Sequence, residues 1–129
     1  MKYLLDTHAV LWIVAGDTQR LSPRVRMLAK SNDVESFGLA AITLLEIARL
    51  MKAGAIVPAT DPADWLDHIA RRFQVVSLTA GIAWRAVDFD WAHKDPADRL
   101  ICATALEHRL TLVTQNREIP RWGGVPVIW

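Results

Sequence analysis

The sequence is poor in cysteine and has no long apolar run, and both absences exclude classes of protein. Its single cysteine, Cys102, cannot form an intramolecular disulfide and rules out a multi-cysteine zinc site. Because Ile101 and Ala103 beside it are apolar, we expect a buried thiol rather than a nucleophile. No segment approaches the ~20 apolar residues of a membrane span. Asp6 interrupts the first apolar run, so no signal peptide is evident. We therefore expect a cytoplasmic protein without a membrane partner.

A strong excess of charge of one sign is also missing. The formal net charge is only +1, so charge alone is weak evidence for a nucleic-acid partner. With 129 residues, of which 52% are hydrophobic, the chain can bury a core without disulfides or a structural metal. These values predict one domain that spans residues 1–129.

Short apolar runs alternate with longer, helix-like segments along the chain. Strands are predicted near residues 3–5, 36–40, 74–78, 110–114 and 125–128. Helices are predicted over residues 9–15, 22–32, 42–53, 61–73 and 79–88, and a nearly all-apolar helix begins at Asp95-Pro96-Ala97-Asp98. This alternation favours a mostly parallel five-stranded sheet with helices on both faces, which is an α/β fold.

Acidic residues stand at the ends of these elements or on their polar faces. Asp6 ends the first strand, Asp95 and Asp98 begin the most apolar helix, and Asn116 follows the fourth strand. Glu46 lies on the predicted polar face of helix 42–53 with Thr43 and Arg49, whereas Ile42, Leu45, Ala48 and Leu50 form its apolar side.

In a parallel sheet the ends of strands one and four meet at the same edge as the start of the Asp95 helix. Carboxylates gathered there repel one another, and a divalent cation such as Mg²⁺ or Mn²⁺ relieves that repulsion. Such a site supports hydrolysis of phosphodiesters.

Each acidic residue also has a purely structural interpretation. Asp95 and Asp98 around Pro96 form a good helix N-terminal cap. Glu46 with Arg49 is compatible with an ordinary exposed ion pair. Asp6 could simply form a turn. Separately each signal is weak, and their order along the chain is what favours a common site.

Four sequence runs together resemble the PIN-domain ribonucleases, and among these the VapC toxins of bacterial toxin–antitoxin pairs. The runs are Leu4-Leu5-Asp6-Thr7-His8, Ala41-Ile42-Thr43-Leu44-Leu45-Glu46-Ile47, His93-Lys94-Asp95-Pro96-Ala97-Asp98-Arg99-Leu100-Ile101 and Leu112-Val113-Thr114. The resemblance covers essentially the whole chain. It implies a three-layer α/β/α fold, Mg²⁺- or Mn²⁺-dependent endoribonuclease activity on RNA, a cognate antitoxin and frequently a homodimer.

Carried over by position, the resemblance also implies roles for single residues. Asp6, Glu46 and Asp98 would be the catalytic, metal-binding acids, with Asp95 as an additional ligand. Arg99 would face substrate phosphate or pair with a neighbouring carboxylate. Thr7 and Thr114, which stand in the same motifs, are expected to contact substrate.

Two positions depart from the family pattern. Asn116 stands where the family usually has Asp; its amide oxygen can still ligate a metal but carries no charge, and Glu118 is the candidate that could compensate. Ala97 stands where Phe is common, which changes packing and leaves the ligands intact. The change at position 116 motivates an alternative function, a catalytically weak PIN-like module that binds RNA or its antitoxin.

The remaining candidates carry weaker expectations. His8 and His93 are expected to pack and hydrogen-bond rather than act as bases. The six tryptophans are mostly expected in the core, with one or two anchoring the antitoxin in preference to stacking on RNA bases. A phosphoryl-accepting receiver domain is discounted, because the third strand ends in Val76-Ser77-Leu78 and no Lys follows the fifth.

Overall fold

A computed structural model describes all 129 residues and contains one five-stranded, wholly parallel sheet. The strands are β1 (Tyr3–Leu5), β2 (Phe37–Ala40), β3 (Gln74–Val76), β4 (Thr111–Val113) and β5 (Val127–Ile128). Their order across the sheet is β3-β2-β1-β4-β5. β1 is central, with Leu5 opposite Leu39 on one side and Val113 on the other. The predicted α/β class and parallel sheet are confirmed.

Seven α-helices connect the strands. They are α1 (Thr7–Ala15), α2 (Pro23–Ser31), α3 (Ala41–Lys52), α4 (Pro62–Arg72), α5 (Ala80–Asp88), α6 (Pro96–Glu107) and α7 (Glu118–Trp122). The sequence does not predict α7, because a five-residue helix that contains Pro120 has no detectable apolar periodicity. None of the helices combines the length and the apolar character needed to cross a membrane.

Side-chain oxygens cap most of the helices and fix where they begin. Asp6 caps α1 by accepting a 2.8 Å hydrogen bond from the Ala9 N–H, so this helix begins two residues earlier than predicted. Ser22, Asp61 and Asp95 cap helices whose first residue is proline, as the sequence indicates. At Asp6 the first strand therefore passes directly into α1.

Two hydrophobic cores, one on each face of the sheet, give the fold its three layers. Leu4 and Leu112 point to the core formed with α5, α6 and α7, and Leu5 and Val113 point to the core formed with α1, α2, α3 and α4. Successive strand residues face opposite sides, so adjacent leucines enter different cores. Cys102 is buried in the first core, where desolvation raises the pKa of its thiol to about 12, which confirms the prediction of an inert thiol.

The predicted faces of α3 need correction at two positions. Leu45, expected on the apolar side, is 47% exposed, and Thr43, expected on the polar face, is fully buried with no hydrogen-bond partner for its hydroxyl. The physical reason is that α3 packs against α1, α4 and α6, so its buried surface is not one simple stripe. Five of the six tryptophans are partly buried and pack against one of the two cores, as predicted for most of them, whereas Trp84 is 67% exposed.

Candidate active site

An open cleft of about 1160 Å³ lies at the carboxyl ends of the central strands. Seven of the predicted site residues line it: Asp6, Thr7, Glu46, Asp95, Asp98, Thr114 and Asn116. The structure therefore brings together acids from three different parts of the chain, as the parallel topology requires. Arg99 is the predicted site residue that it does not place there.

Asp6 is the most enclosed of the acids. Its Oδ1 accepts the hydrogen bond from the Ala9 N–H at the start of α1, and its Oδ2 accepts one from the Thr114 hydroxyl at the end of β4. Desolvation by burial raises the pKa of Asp6, and both hydrogen bonds act against that shift. Because no cation forms a salt bridge with this carboxylate, its charge is held in place without being neutralised.

Glu46 faces the end of β1 from the middle of α3. The Thr7 hydroxyl donates a 2.6 Å hydrogen bond to its Oε1. Desolvation is the main cause of the raised pKa of Glu46, and the negative charges of Asp95 and Asp98 add to it. The ion pair with Arg49 that the sequence leaves open does not form.

Thr7 and Thr114, which the sequence predicts to contact substrate, have a different role in the structure. Their side chains are buried, with 5% and 2% of their surface exposed. Their hydroxyl groups donate to Glu46 and Asp6, respectively. The two threonines therefore orient carboxylates, and their contact with substrate stays a prediction. The sequence signal that could have shown this is their position next to the ends of β1 and β4, where side chains turn into the cleft.

The first turn of α6 contributes Asp95 and Asp98. Asp95 caps the helix, with its Oδ1 accepting from the Ala97 N–H at 2.9 Å, so the capping interpretation holds for this residue. Asp98 Oδ2 lies 2.7 Å from Nε2 of His93, which is thus a hydrogen-bonding residue as expected. Donor atoms of His93, Asp95 and Asp98 lie within 4.8 Å of one another.

Asn116 bridges α6 and the loop that follows β4. Its Nδ2 donates to Asp98 Oδ2 at 3.3 Å, and its Oδ1 accepts from the Glu118 N–H at 2.9 Å. The reverse amide orientation would face oxygen to carboxylate and NH₂ to N–H, so only one orientation satisfies both partners. The amide oxygen expected to bind a metal is therefore already engaged, and the geometry favours a role for Asn116 in holding Asp98.

Glu118 does not compensate for the missing carboxylate. Its side chain is exposed, lies outside the cleft lining and forms a 2.9 Å salt bridge with Arg121 on the same turn of α7. The sequence-based suggestion is therefore wrong. The unpredicted α7 is the reason, because it turns the Glu118 side chain along the helix surface.

The structure also corrects the prediction for Arg99. Its guanidinium donates five hydrogen bonds of 2.7–3.3 Å to main-chain carbonyls rather than to phosphate or to a carboxylate. The acceptors belong to Ala86, Val87, Phe89, Trp91 and His93, at the end of α5 and in the following loop. Arg99 thus fixes the loop that carries His93 to Asp98.

Comparisons with known proteins agree with this arrangement. The sequence pattern of the PIN domain matches residues 3–125. Ribonuclease VapC22 of Mycobacterium tuberculosis is 37% identical over 117 residues, which cover 90% of this chain and 88% of that protein.

Solved structures share the fold at lower identity. VapBC2 of Rickettsia felis, bound to a promoter DNA fragment, superposes with a TM-score of 0.72 at 20% identity and covers 100% of this chain and 99% of that one. DNA-bound VapBC of Salmonella typhimurium gives 0.75 at 19% identity, covering 99% and 97%. A toxin–antitoxin complex from Klebsiella pneumoniae gives 0.71 at 21% identity, covering 99% and 97%.

Proposed function

The chain belongs to the PIN-domain family and to its VapC group, and on that premise we propose that it is the toxin of a toxin–antitoxin pair, an endoribonuclease that depends on Mg²⁺ or Mn²⁺. The observation that carries the proposal is the cluster of carboxylates of Asp6, Glu46 and Asp98 in one open cleft, with no Lys or Arg paired to any of them. Carboxylates left this way are suited to a hard divalent cation.

The donor set fits such an ion on chemical grounds. Burial raises the pKa of both Asp6 and Glu46, so each charge is destabilised in the metal-free protein and would gain from a nearby cation. Asp6, Glu46 and Asp98 would hold it, with Asp95 as a further ligand. A bound divalent ion would supply Lewis-acid polarisation of the phosphodiester and activation of the attacking water.

The protein's own residues hold these acids in place before substrate arrives. Thr114 and the start of α1 fix Asp6, Thr7 fixes Glu46, and His93 with Asn116 fixes Asp98. Preorganised groups need little rearrangement during the reaction, which is where enzymes gain most electrostatic stabilisation. RNA is the substrate that we propose, since the 37% identical relative is named a ribonuclease.

A cognate antitoxin and a homodimer are proposed as partners, with the cytoplasm as the place of action. Several structural neighbours are complexes of a toxin with its antitoxin, which supports the first partner. Size-exclusion chromatography with light scattering of the isolated chain tests the homodimer. Co-expression with any small reading frame found next to the gene tests the antitoxin.

The test of the nuclease compares wild-type protein with Asp6→Asn on single-stranded RNA in Mg²⁺ or Mn²⁺. We expect cleavage by the wild type and a loss of at least about 100-fold in the variant, because one central charge of the cluster is removed. Asp33→Asn is the matched control, since Asp33 is exposed and its side chain forms no hydrogen bond or salt bridge. Calorimetric titration with Mn²⁺ gives a readout besides activity and should show weaker binding to Asp6→Asn only. Equal cleavage by wild type and Asp6→Asn would refute the assignment.

The second candidate function is a catalytically weak PIN-like module that binds RNA or antitoxin. Asn116 favours it, because this residue adds no charge and its amide oxygen is engaged by the Glu118 N–H. RNA binding by the wild type without cleavage in either metal would support this function over the first.

A further inference from the structure

The cleft continues beyond the carboxylates along α1 and α3. On α1, Trp12 follows Thr7 by five residues, a helix rise of about 7.5 Å. On α3, Arg49 and Leu50 follow Glu46 by about one turn, and all of these residues line the same cleft. The cleft thus has an acidic end and a second end of different composition.

Aromatic rings form one wall of this second end. The ring centroids of Trp12 and Trp129 lie 5.9 Å apart with an interplanar angle of 56°, and His8 lies 5.7 Å from Trp12. Both indoles line the cleft and are only partly buried. The Arg20 guanidinium stands 5.9 Å from the Trp12 ring, held by a 2.8 Å salt bridge to Asp17. Part of each indole therefore faces the cleft, and the rest packs against the core beneath it.

Free cations line the same cleft as the rings. Arg49 and Arg117 are exposed, line the cleft and form no salt bridge with any carboxylate. They are the cleft's charged groups without a fixed role in the fold. A ligand that contacts both the rings and these cations is expected to combine negative charge with flat apolar faces.

We propose that Trp12 and Trp129 form a subsite on which an unpaired base of single-stranded RNA stacks, while Arg49 and Arg117 contact the adjacent phosphates. This inference rests on the proposed function, and it adds the path that the RNA strand takes beside the acidic cluster. Single-stranded nucleic acid is the ligand that combines exposed flat bases with a phosphate on each nucleotide, and proteins bind it with aromatic and cationic side chains. The bases of a duplex are stacked on each other and cannot reach such rings. The sequence analysis prefers antitoxin binding to base stacking as a role for tryptophan. For Trp12 and Trp129 we infer base stacking.

The test measures binding of a fluorescein-labelled single-stranded RNA in EDTA, where metal-dependent cleavage cannot interfere. A set of RNAs, each with one abasic ribose at a successive position, locates the stacked base. For the wild type we expect one position at which loss of the base weakens binding about tenfold. For Trp12→Leu we expect binding of intact RNA to weaken by a similar factor and the sensitivity to that position to disappear, as double-mutant-cycle logic requires.

Trp84→Leu is the matched control, because Trp84 lies on α5 outside the cleft and is 67% exposed. It should bind every RNA as the wild type does. Trp12→Phe, which keeps a ring, should restore most of the binding, and Trp129→Leu should repeat the loss. If Trp12→Leu does not fold by circular dichroism, Trp129→Leu carries the test.

Three outcomes would overturn the subsite. Unchanged binding by both leucine variants would mean that no base stacks on these indoles. Equal weakening for intact and abasic RNA would mean that the indoles only maintain the shape of the cleft. If the wild type binds none of the RNAs, single-stranded RNA is not the ligand of this subsite. Cleavage in Mn²⁺ is measured separately, so failure of the nuclease and failure of the stacking subsite give different patterns.

Discussion

The hydroxyl of Thr7 donates a 2.6 Å hydrogen bond to Oε1 of Glu46 and so joins the first residue of α1 to the middle of α3. The two residues are 39 positions apart in sequence, yet the contact fixes the distance between two walls of the cleft. A partly buried carboxylate without a hydrogen-bond donor lowers the stability of the folded protein. Each donor that faces Glu46 therefore contributes to stability.

Replacing Thr7 with valine tests this contact, since valine keeps the shape and removes the donor. We expect a loss of about 1–3 kcal/mol in the free energy of unfolding at pH 8, measured by urea denaturation, because hydrogen bonds to charged groups have that value. Thr7→Ser should retain most of it. Thr18→Val, at an exposed threonine in the turn after α1, should change stability by less than about 0.5 kcal/mol. Wild-type stability of Thr7→Val at pH 8 would contradict the role.

The raised pKa values of Asp6 and Glu46 predict how stability depends on pH. Below the ordinary values of 3.8 and 4.5, both carboxyls are protonated in the folded and the unfolded chain alike. Above these values the unfolded chain has released both protons while the folded protein still holds them, because its pKa values are higher. The free energy of unfolding of the metal-free protein therefore falls as pH rises, until the folded protein has released the protons as well.

In the variant Asp6→Asn, residue 6 does not titrate, so the variant avoids the part of this stability loss that Asp6 causes. Its melting temperature in EDTA should therefore rise relative to the wild type as pH is raised from 4 to 8. Mn²⁺ at pH 8 should reverse the order: saturation at 100 times the dissociation constant adds about 2.7 kcal/mol to the wild type. A difference in melting temperature between the two proteins that stays constant with pH would contradict a raised pKa of Asp6 in the folded protein.

The hydrogen bond from Asn116 to Asp98 predicts different responses to a metal for two substitutions at position 116. Asn116→Asp keeps an acceptor for the Glu118 N–H but sets a carboxylate against Asp98. We expect a metal-free protein that is less stable by about 1 kcal/mol and a larger gain in melting temperature with Mn²⁺ than in the wild type, because a cation relieves like-charge repulsion. Asn116→Ala removes both bonds and should lose about 1–2 kcal/mol without that extra gain. Differential scanning fluorimetry with and without Mn²⁺ separates the cases.

The hydrogen bonds of Arg99 predict a large effect on stability at a position next to Asp98 in the sequence. Lysine has three donors around one nitrogen and cannot reproduce the planar fork that reaches five carbonyls. Arg99→Lys should therefore lose about 2–4 kcal/mol, with faster hydrogen exchange in residues 89–94. Arg121→Ala is the control, because it breaks only an exposed salt bridge worth about 0–1 kcal/mol. Normal exchange of the loop in Arg99→Lys would contradict this role.

The parallel sheet and the meeting of Asp6 with the start of α6 could be predicted from periodicity and topology, whereas Glu46 is assigned to the site by the family resemblance. A residue at the end of a parallel strand has few directions open to it, so its place in the fold is nearly set by its place in the sequence. The helix caps Ser22 and Asp95 are equally local, since the acceptor and the donors lie within three residues.

The positions that the sequence could not predict depend on contacts between distant segments. Nothing near Arg99 indicates that a loop ten residues earlier will present its carbonyls to the guanidinium. Thr43 and Leu45 exchange their expected environments because α3 is packed by helices on more than one side. The orientation of the Asn116 amide likewise depends on where α6 ends up relative to β4.

The position of β1 between β2 and β4 has a consequence for how the protein is made. Asp6 leaves the ribosome early, but the hydroxyl that holds it belongs to Thr114, 108 residues later. Asp6, at the end of the central strand, therefore gains this hydrogen bond only after the last part of the chain has been made. On the proposed activity, a chain that ends before Thr114 lacks the donor that holds Asp6 and therefore has no complete acidic site.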